Sequence, residues 1–121
     1  MPEKLRRIGV LTSGGDAPGM NAAIRAVVRT CALHSITPIG IHRGYNGLIR
    51  SDVIEMDERS VNGLANKGGT MLYTARCEEF KTPEGLAQGV LNCGYLGIDG
   101  LIGIGGDGTF SGLLALSRAG V

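Results

Sequence analysis

Ile8-Gly-Val-Leu-Thr-Ser-Gly-Gly-Asp-Ala-Pro-Gly-Met-Asn21 is the stretch of sequence that decides the fold. Its apolar beginning predicts a short buried strand over 7–12, and Pro18 stands near the start of the helix that follows, where a missing N–H costs little. A second stretch, Ile102-Gly-Ile-Gly-Gly-Asp-Gly-Thr-Phe110, has the same order of apolar strand, glycine turn with one aspartate, and helix. Repeated strand–turn–helix units are typical of parallel α/β sheets.

The two glycine turns predict a phosphate site. Each turn directs backbone N–H groups and a helix N-terminus toward one spot, and ligands of parallel sheets gather at the carboxyl ends of the strands. We therefore expect one crevice to be shared by Gly14, Gly15, Gly105, Gly106 and Gly108. Asp107 is placed to hold a metal ion, and Thr109 to cap its helix and to donate to a phosphate oxygen. The alternative is a pair of tight turns in which Asp107 serves only as a helix cap; the doubled pattern favours phosphate.

The rest of the chain predicts further strands and helices in alternation. We expect helices over 20–33, 60–66 (capped by Ser60), 82–94 and 109–118; strands over 37–42, 53–56, 70–72 and 101–104; and loops over 43–47 and 73–81. Leu91 and Leu114 are predicted to face the interior. This order implies one domain, a three-layer α/β sandwich with a mainly parallel, Rossmann-like sheet.

Composition excludes several classes of function. The 121 residues carry a net charge of +1, and only 4% are aromatic, with no tryptophan, so neither a nucleic-acid surface nor an anionic membrane is an expected partner. No apolar run has the length of a membrane span, and the charged N-terminus is no signal peptide. Three well-separated cysteines form neither a disulfide framework nor a zinc site. We therefore expect a cytoplasmic protein.

Several motifs carry a resemblance to a known family. Leu11-Thr-Ser-Gly-Gly-Asp-Ala-Pro-Gly-Met-Asn-Ala-Ala-Ile-Arg25 resembles the opening of the 6-phosphofructokinase family. Gly68-Gly-Thr70, Ala75-Arg-Cys77 and Gly105-Gly-Asp-Gly-Thr109 match that family in order and spacing. The last motif is shared with NAD kinases and diacylglycerol kinases, which leaves such a relative as an alternative. The first motif argues against it. Neither turn is a Walker A loop or a G-x-G-x-x-G motif.

The resemblance implies that residues 1–121 are the N-terminal ATP- and magnesium-binding portion of a bacterial-type, ATP-dependent 6-phosphofructokinase. That enzyme transfers a phosphoryl group from MgATP to the 1-hydroxyl of fructose 6-phosphate in glycolysis. The implied nucleotide site comprises Gly15, Tyr45, Arg76, Cys77, Gly106, Asp107, Gly108, Thr109 and Gly112. In it, Asp107 holds Mg²⁺, Tyr45 lies beside the adenine, Gly112 lets the nucleotide approach its helix, and Arg76 is the catalytic residue that neutralises transition-state charge. Pyrophosphate-using relatives carry an aspartate at the position of Gly108, so glycine favours ATP.

Arg25 and Arg29 are four residues apart on one helix face. This spacing suits a solvated ridge or a grip on a diphosphate, and the residues alone favour the ridge. In the family, these positions help to bind an allosteric effector. Glu58, Asn62 and Gly63 depart from the family pattern in the other half of that site, which puts the usual effectors in doubt.

The family's catalytic base belongs to a Thr-Ile-Asp-Asn-Asp segment that would follow Val121, and its contacts to fructose 6-phosphate lie later still. We therefore expect residues 1–121 to be truncated before the base and to show no turnover alone, whereas the full-length enzyme is expected to be a homotetramer. The alternative of another class is a non-catalytic module that binds nucleotide.

Overall fold

A computed structural model describes residues 6–13, 19–62, 71–72 and 78–121, with the backbone alone at residues 78, 107 and 108. Its strands are β1 (Arg7–Thr12), β2 (Thr37–Ile41), β3 (Val53–Glu55) and β4 (Gly100–Ile104). Its α-helices are α1 (Met20–Leu33), α2 (Tyr45–Arg50), α3 (Pro83–Leu96) and α4 (Asp107–Arg118). Two short 3₁₀ helices span Glu58–Val61 and Glu78–Lys81.

The four described strands form one sheet in the order β3-β2-β1-β4. β1 pairs in parallel with both β2 and β4, and β3 pairs antiparallel with β2. The mainly parallel sheet that the strand–helix alternation predicts is therefore confirmed. Since β1 is bonded on both sides, its carboxyl end lies at the middle of one sheet edge.

Alternation along the strands divides the core into two clusters on opposite faces of the sheet. The α1-side cluster consists of Ile8, Val10, Ile24, Val28, Met56, Val61 and Leu72. The α3-side cluster consists of Leu11, Ile39, Ile41, Tyr45, Leu48, Phe80, Cys93, Ile98 and Leu116. Successive residues of a strand point to opposite faces, so β1 contributes to both clusters. Helices cover both faces, and the three-layer α/β prediction is confirmed.

Helix α3 begins where its sequence signals place it. The Thr82 hydroxyl accepts a hydrogen bond of 3.0 Å from the Gly85 amide, and Pro83 occupies the first helical position. Gly97, in the left-handed conformation, ends the helix. The predicted bounds of β1, α1, β2, β3, α3, β4 and α4 agree with the structure to within two residues.

Five predictions about the other segments are wrong. The expected loop over 43–47 runs into α2. Ser60 is not an N-cap, because Asp57 caps the 3₁₀ helix and Ser60 reciprocates in a capping box. Residues 71–72 form a turn and no strand, and Leu91 and Leu114 are exposed, at 56% and 51%. The expected loop over 73–81 ends in a 3₁₀ helix, Glu78–Lys81, instead of continuing as a loop. Residues 73–77 of that loop and the predicted helix beyond residue 62 lie outside the described residues.

Candidate phosphate and nucleotide site

The carboxyl ends of β1 and β4 lie side by side and are joined just beyond the strands. The Ser13 amide donates a hydrogen bond of 3.0 Å to the carbonyl oxygen of Ile104. Helix α1 begins at Met20, seven residues after Ser13, and helix α4 begins at Asp107, directly after Gly105 and Gly106. The parallel pairing therefore brings the ends of the two strands that precede the predicted phosphate turns to one edge of the sheet.

The turn after β4 is formed by Gly105 and Gly106, which are both exposed. Gly106 is the N-cap of α4, and its carbonyl oxygen accepts from the Thr109 amide at 3.0 Å. The first N–H groups of a helix lack partners within the helix, and a glycine cap offers no side-chain acceptor for them. This N-terminus is therefore open to an anion. The prediction that Thr109 caps the helix is wrong, because the cap falls three residues earlier.

Thr109 contributes a buried hydroxyl at the base of the turn. Its side chain is 1% exposed, and its Oγ1 has no hydrogen-bond partner among the described residues. The Oγ1 and the carbonyl oxygen of Ser13 both lie against Gly105, where any side chain would overlap them. A buried hydroxyl without a partner costs about 1–3 kcal/mol of desolvation, so among the described residues this hydroxyl has an unmet capacity for a hydrogen bond.

Tyr45 lies on the inner side of the same helix turn. Its hydroxyl donates a hydrogen bond of 2.6 Å to the carbonyl oxygen of Thr109, and its ring stacks on Phe80 with centroids 4.2 Å apart. Gly112 lies directly against the ring, so a methyl group there would overlap it. Burial raises the pKa of Tyr45 to about 12, although the nearby Leu113 amide acts in the opposite direction. In the described structure, the missing side chain of Gly112 therefore makes room for the ring of Tyr45.

Asn21 fixes the start of α1. Its side chain is 3% exposed and accepts a hydrogen bond of 2.6 Å from the Met71 amide. This bond joins the helix that follows the first turn to the segment before Arg76. Asn21 stands in the motif that predicts the first turn, but the sequence reasoning assigned no role to it or to Phe80. A polar residue on the apolar stripe of α1 was the available signal for Asn21; no signal marked Phe80.

Other predicted site residues lie partly or wholly outside the described residues. Gly14, Gly15, Gly63, Arg76 and Cys77 are outside them, as is the side chain of Asp107, whereas Gly108 is described only as helix backbone. Arg25 is half-buried on α1, and Arg29, one turn later, is exposed. The described part of the chain has no group of three or more His, Cys, Asp or Glu side chains that would hold a metal ion, and none of its helices has the length and apolar character to cross a bilayer.

Residues 7–121 match the model of the family described as Phosphofructokinase. The chain belongs to the phosphofructokinase family. This chain is 55% identical over 116 residues to an ATP-dependent 6-phosphofructokinase of Halalkalibacterium halodurans, and the match covers 96% of this chain and 36% of that protein. It is 56% identical over 117 residues to an ATP-dependent 6-phosphofructokinase of Clostridium botulinum, and that match covers 97% of this chain and 37% of the relative. This phosphofructokinase chain thus spans about a third of the length of the curated relatives it matches.

Solved structures agree with this phosphofructokinase assignment. Pichia pastoris phosphofructokinase in the T-state superposes with a TM-score of 0.90 at 41% identity, covering 98% of this chain and 14% of that one. A pyrophosphate-dependent phosphofructokinase from Marinobacter aquaeolei gives a TM-score of 0.83 at 16% identity, covering 95% and 30%. The second likeness shows the fold alone. Because the family match extends over nearly the whole chain, the alternative of an NAD kinase or diacylglycerol kinase relative is dropped.

Proposed function

We propose that this chain supplies the nucleotide and magnesium site of an ATP-dependent 6-phosphofructokinase. In that reaction the 1-hydroxyl of fructose 6-phosphate gives its proton to a general base, and its oxygen bonds to the γ-phosphorus of ATP while the bond to the β,γ-bridging oxygen breaks, giving fructose 1,6-bisphosphate and ADP. The observation that carries the proposal is the Thr109 hydroxyl, which is buried without a described partner beside an open helix N-terminus. Phosphoryl transfer is mainly positioning and charge stabilisation, and this arrangement suits a phosphate oxygen.

The turn also fits a magnesium ion. Mg²⁺ usually binds through one or two carboxylates together with substrate phosphates, so a large cluster of acidic ligands is not required. Asp107 is the first residue of α4, next to the glycine turn and two residues before Thr109. We propose that Asp107 holds the ion. When bound, magnesium offsets negative charge on the phosphates.

The remaining predicted residues complete the proposed nucleotide site. Gly15 contacts the phosphates from the first turn, Cys77 lines the pocket, and Arg76 neutralises charge that develops in the transition state. Gly108 leaves room for ATP where an aspartate would crowd it. The names of the curated relatives, both ATP-dependent, support ATP over pyrophosphate.

Three further expectations remain predictions within this proposal. They are a homotetrameric full-length enzyme, a cytoplasmic location, and an effector site at Arg25 and Arg29. Arg25 and Arg29 are successive along one face of α1, so both side chains can reach one diphosphate. Glu58 is exposed on the 3₁₀ helix that contacts α1, and a carboxylate there opposes an anionic effector.

Titration calorimetry with MgATP tests the proposal, using the variant Thr109→Val. Valine keeps the shape of threonine and removes the hydroxyl, so the variant should bind MgATP about tenfold more weakly, since a hydrogen bond to a charged group is lost. Its free energy of unfolding should be unchanged or higher, because the unpartnered hydroxyl is gone. Thr30→Val, an exposed site on α1, is the matched control and should bind as the wild type does. Equal affinity in wild type and Thr109→Val would refute the assigned role of Thr109, and failure of the wild type to bind MgATP would refute the proposed function.

A further inference from the structure

The Tyr45 side chain connects helix α2 to the first turn of helix α4. Tyr45 is the first residue of α2 and is 5% exposed, although its side chain ends in a polar hydroxyl. That hydroxyl is 2.6 Å from the carbonyl oxygen of Thr109. It also accepts a hydrogen bond from the Leu113 amide, which stands four residues after Thr109 and thus about one turn further along α4. The tyrosine is therefore bonded both to the carbonyl oxygen of Thr109 in the first turn of α4 and to an amide in the next turn.

The surroundings of the ring hold this contact in one geometry. Phe80 stacks almost parallel to the ring, with an interplanar angle of 10°. On the other helix, Gly112 has no Cβ, and a Cβ there would overlap the phenol ring. The ring is enclosed by these two residues, so the hydroxyl cannot leave the Thr109 carbonyl without moving the whole side chain. Such an enclosed aromatic with one polar end is suited to positioning its partner.

The backbone carbonyl of Thr109 therefore has a fixed partner, whereas its side-chain hydroxyl has none among the described residues. Its carbonyl oxygen is held by Tyr45, whereas its hydroxyl has no described partner and lies against Gly105 at the base of the turn. A catalytic or binding group must be held closely in its productive geometry by neighbours that are themselves locked. Tyr45 and Phe80 are arranged as such neighbours.

We propose that Tyr45 is a positioning residue, whose hydroxyl orders the first turn of α4 so that the turn and the Thr109 hydroxyl are presented to a phosphate group. The inference rests on the proposed function, and it assigns to Tyr45 a role toward the phosphates rather than toward the base of the nucleotide. The hydroxyl acts through Thr109 and does not need to touch the ligand.

Two ligands distinguish this role from a contact to the base. MgATP contains adenine, whereas magnesium tripolyphosphate offers a phosphate chain alone. In Tyr45→Phe the ring and its stacking remain and only the hydroxyl is lost. We expect this variant to bind both ligands about five- to tenfold more weakly, because an ordering hydrogen bond is absent in each case. Tyr95→Phe, which removes the same hydroxyl from a side chain that is 83% exposed on α3, is the control and should leave both affinities unchanged.

Hydrogen exchange of the ligand-free chain gives a second readout that does not depend on nucleotide. The Leu113 amide should exchange about tenfold faster in Tyr45→Phe than in the wild type, while the amides of β1 and β2 keep their protection. Unchanged exchange at Leu113 would overturn the proposal, and so would a loss of affinity confined to MgATP. If the wild type binds neither ligand, the proposed function fails, and the exchange rates alone decide whether Tyr45 orders the turn.

Discussion

The side-chain oxygen of Asn21 accepts a hydrogen bond of 2.6 Å from the backbone amide of Met71. The two residues are 50 positions apart, and the bond is partly buried. It ties the first turn of α1 to the segment that leads toward Arg76. The bond therefore fixes residue 71, five positions before the proposed catalytic arginine Arg76, against the start of α1.

Removing this support should destabilise the protein. Asn21→Ala leaves the Met71 amide without its acceptor, and we expect the free energy of unfolding to fall by about 1–3 kcal/mol. Asn62→Ala removes the same kind of side chain at an exposed position and should change the free energy of unfolding by less than about 0.5 kcal/mol. Urea unfolding of both variants measures the difference. Equal losses would show that the Asn21 bond contributes nothing of its own.

Two glycines in helices should respond oppositely to alanine. Gly112→Ala introduces a methyl group that overlaps the Tyr45 ring, and such overpacking costs about 1–3 kcal/mol. Gly94→Ala, on α3, adds a methyl group with nothing within 4 Å and should gain about 0.5–1 kcal/mol from helix propensity. Melting temperatures of the two variants therefore move in opposite directions from that of the wild type. A rise for Gly112→Ala would mean that Tyr45 moves aside at no cost.

Asp99 should make stability depend on pH in the acid range. Its carboxylate accepts from the Arg6 and Arg7 amides at 2.8 and 3.0 Å, and these bonds lower its pKa below the ordinary value of 3.8. Because the folded pKa is depressed, the stabilisation is present above pH 3.8 and is lost as the pH falls through the folded pKa. The stability difference between wild type and Asp99→Asn should thus be largest near neutrality and shrink below pH 3.8. Urea unfolding across that range would contradict this expectation if the difference stayed constant.

Tyr45 should govern stability at the alkaline end. Its folded pKa is raised to about 12 from the ordinary 10.0, because burial disfavours the charged phenolate. A raised folded pKa means that the associated stability is complete below pH 10 and is lost as the pH rises toward 12. Phenolate absorbance of the folded chain should therefore contain a late phase that Tyr45→Phe lacks. Identical late phases in the two proteins would refute the assignment.

Local signals predicted α1, α3, α4 and the parallel strands well, because those signals act within a few residues. Thr82 and Pro83 mark the start of α3 by their own chemistry. Helix α2 was missed because its glycines suggested a loop. Gly47 is required there by a contact with the His42 carbonyl oxygen, which no pattern within the helix reveals. Leu72 is fully buried, as a residue of an inner strand would be, but it lies in a turn. Its backbone carbonyl oxygen accepts a hydrogen bond from the Arg43 amide.

That the carboxyl ends of β1 and β4 lie side by side was predictable, because parallel strands bring their carboxyl ends to one edge. The precise roles of residues in the turn after β4 were not. Thr109 was expected as a cap, but Gly106 occupies that position and frees the threonine hydroxyl. The buried face of each helix was also hard to predict. Leu91 and Leu114 fit an apolar stripe of their helices but are exposed, because the face that is buried depends on which neighbours pack against the helix. Only the folded arrangement pairs Gly112 with Tyr45.

The pairing of β1 with β4 also bears on when the site forms during synthesis. Arg7 and Asp99, which meet at the amino end of these strands, are 92 positions apart. Bringing together segments so distant in sequence costs loop-closure entropy before any contact compensates for it, and such pairings form slowly. During translation the first glycine turn leaves the ribosome long before the second, so a nascent chain can complete α1 and β2 but lacks half of the proposed phosphate site. If the proposed function is correct, the capacity to bind nucleotide should therefore appear abruptly, once β4 has emerged and inserted beside β1.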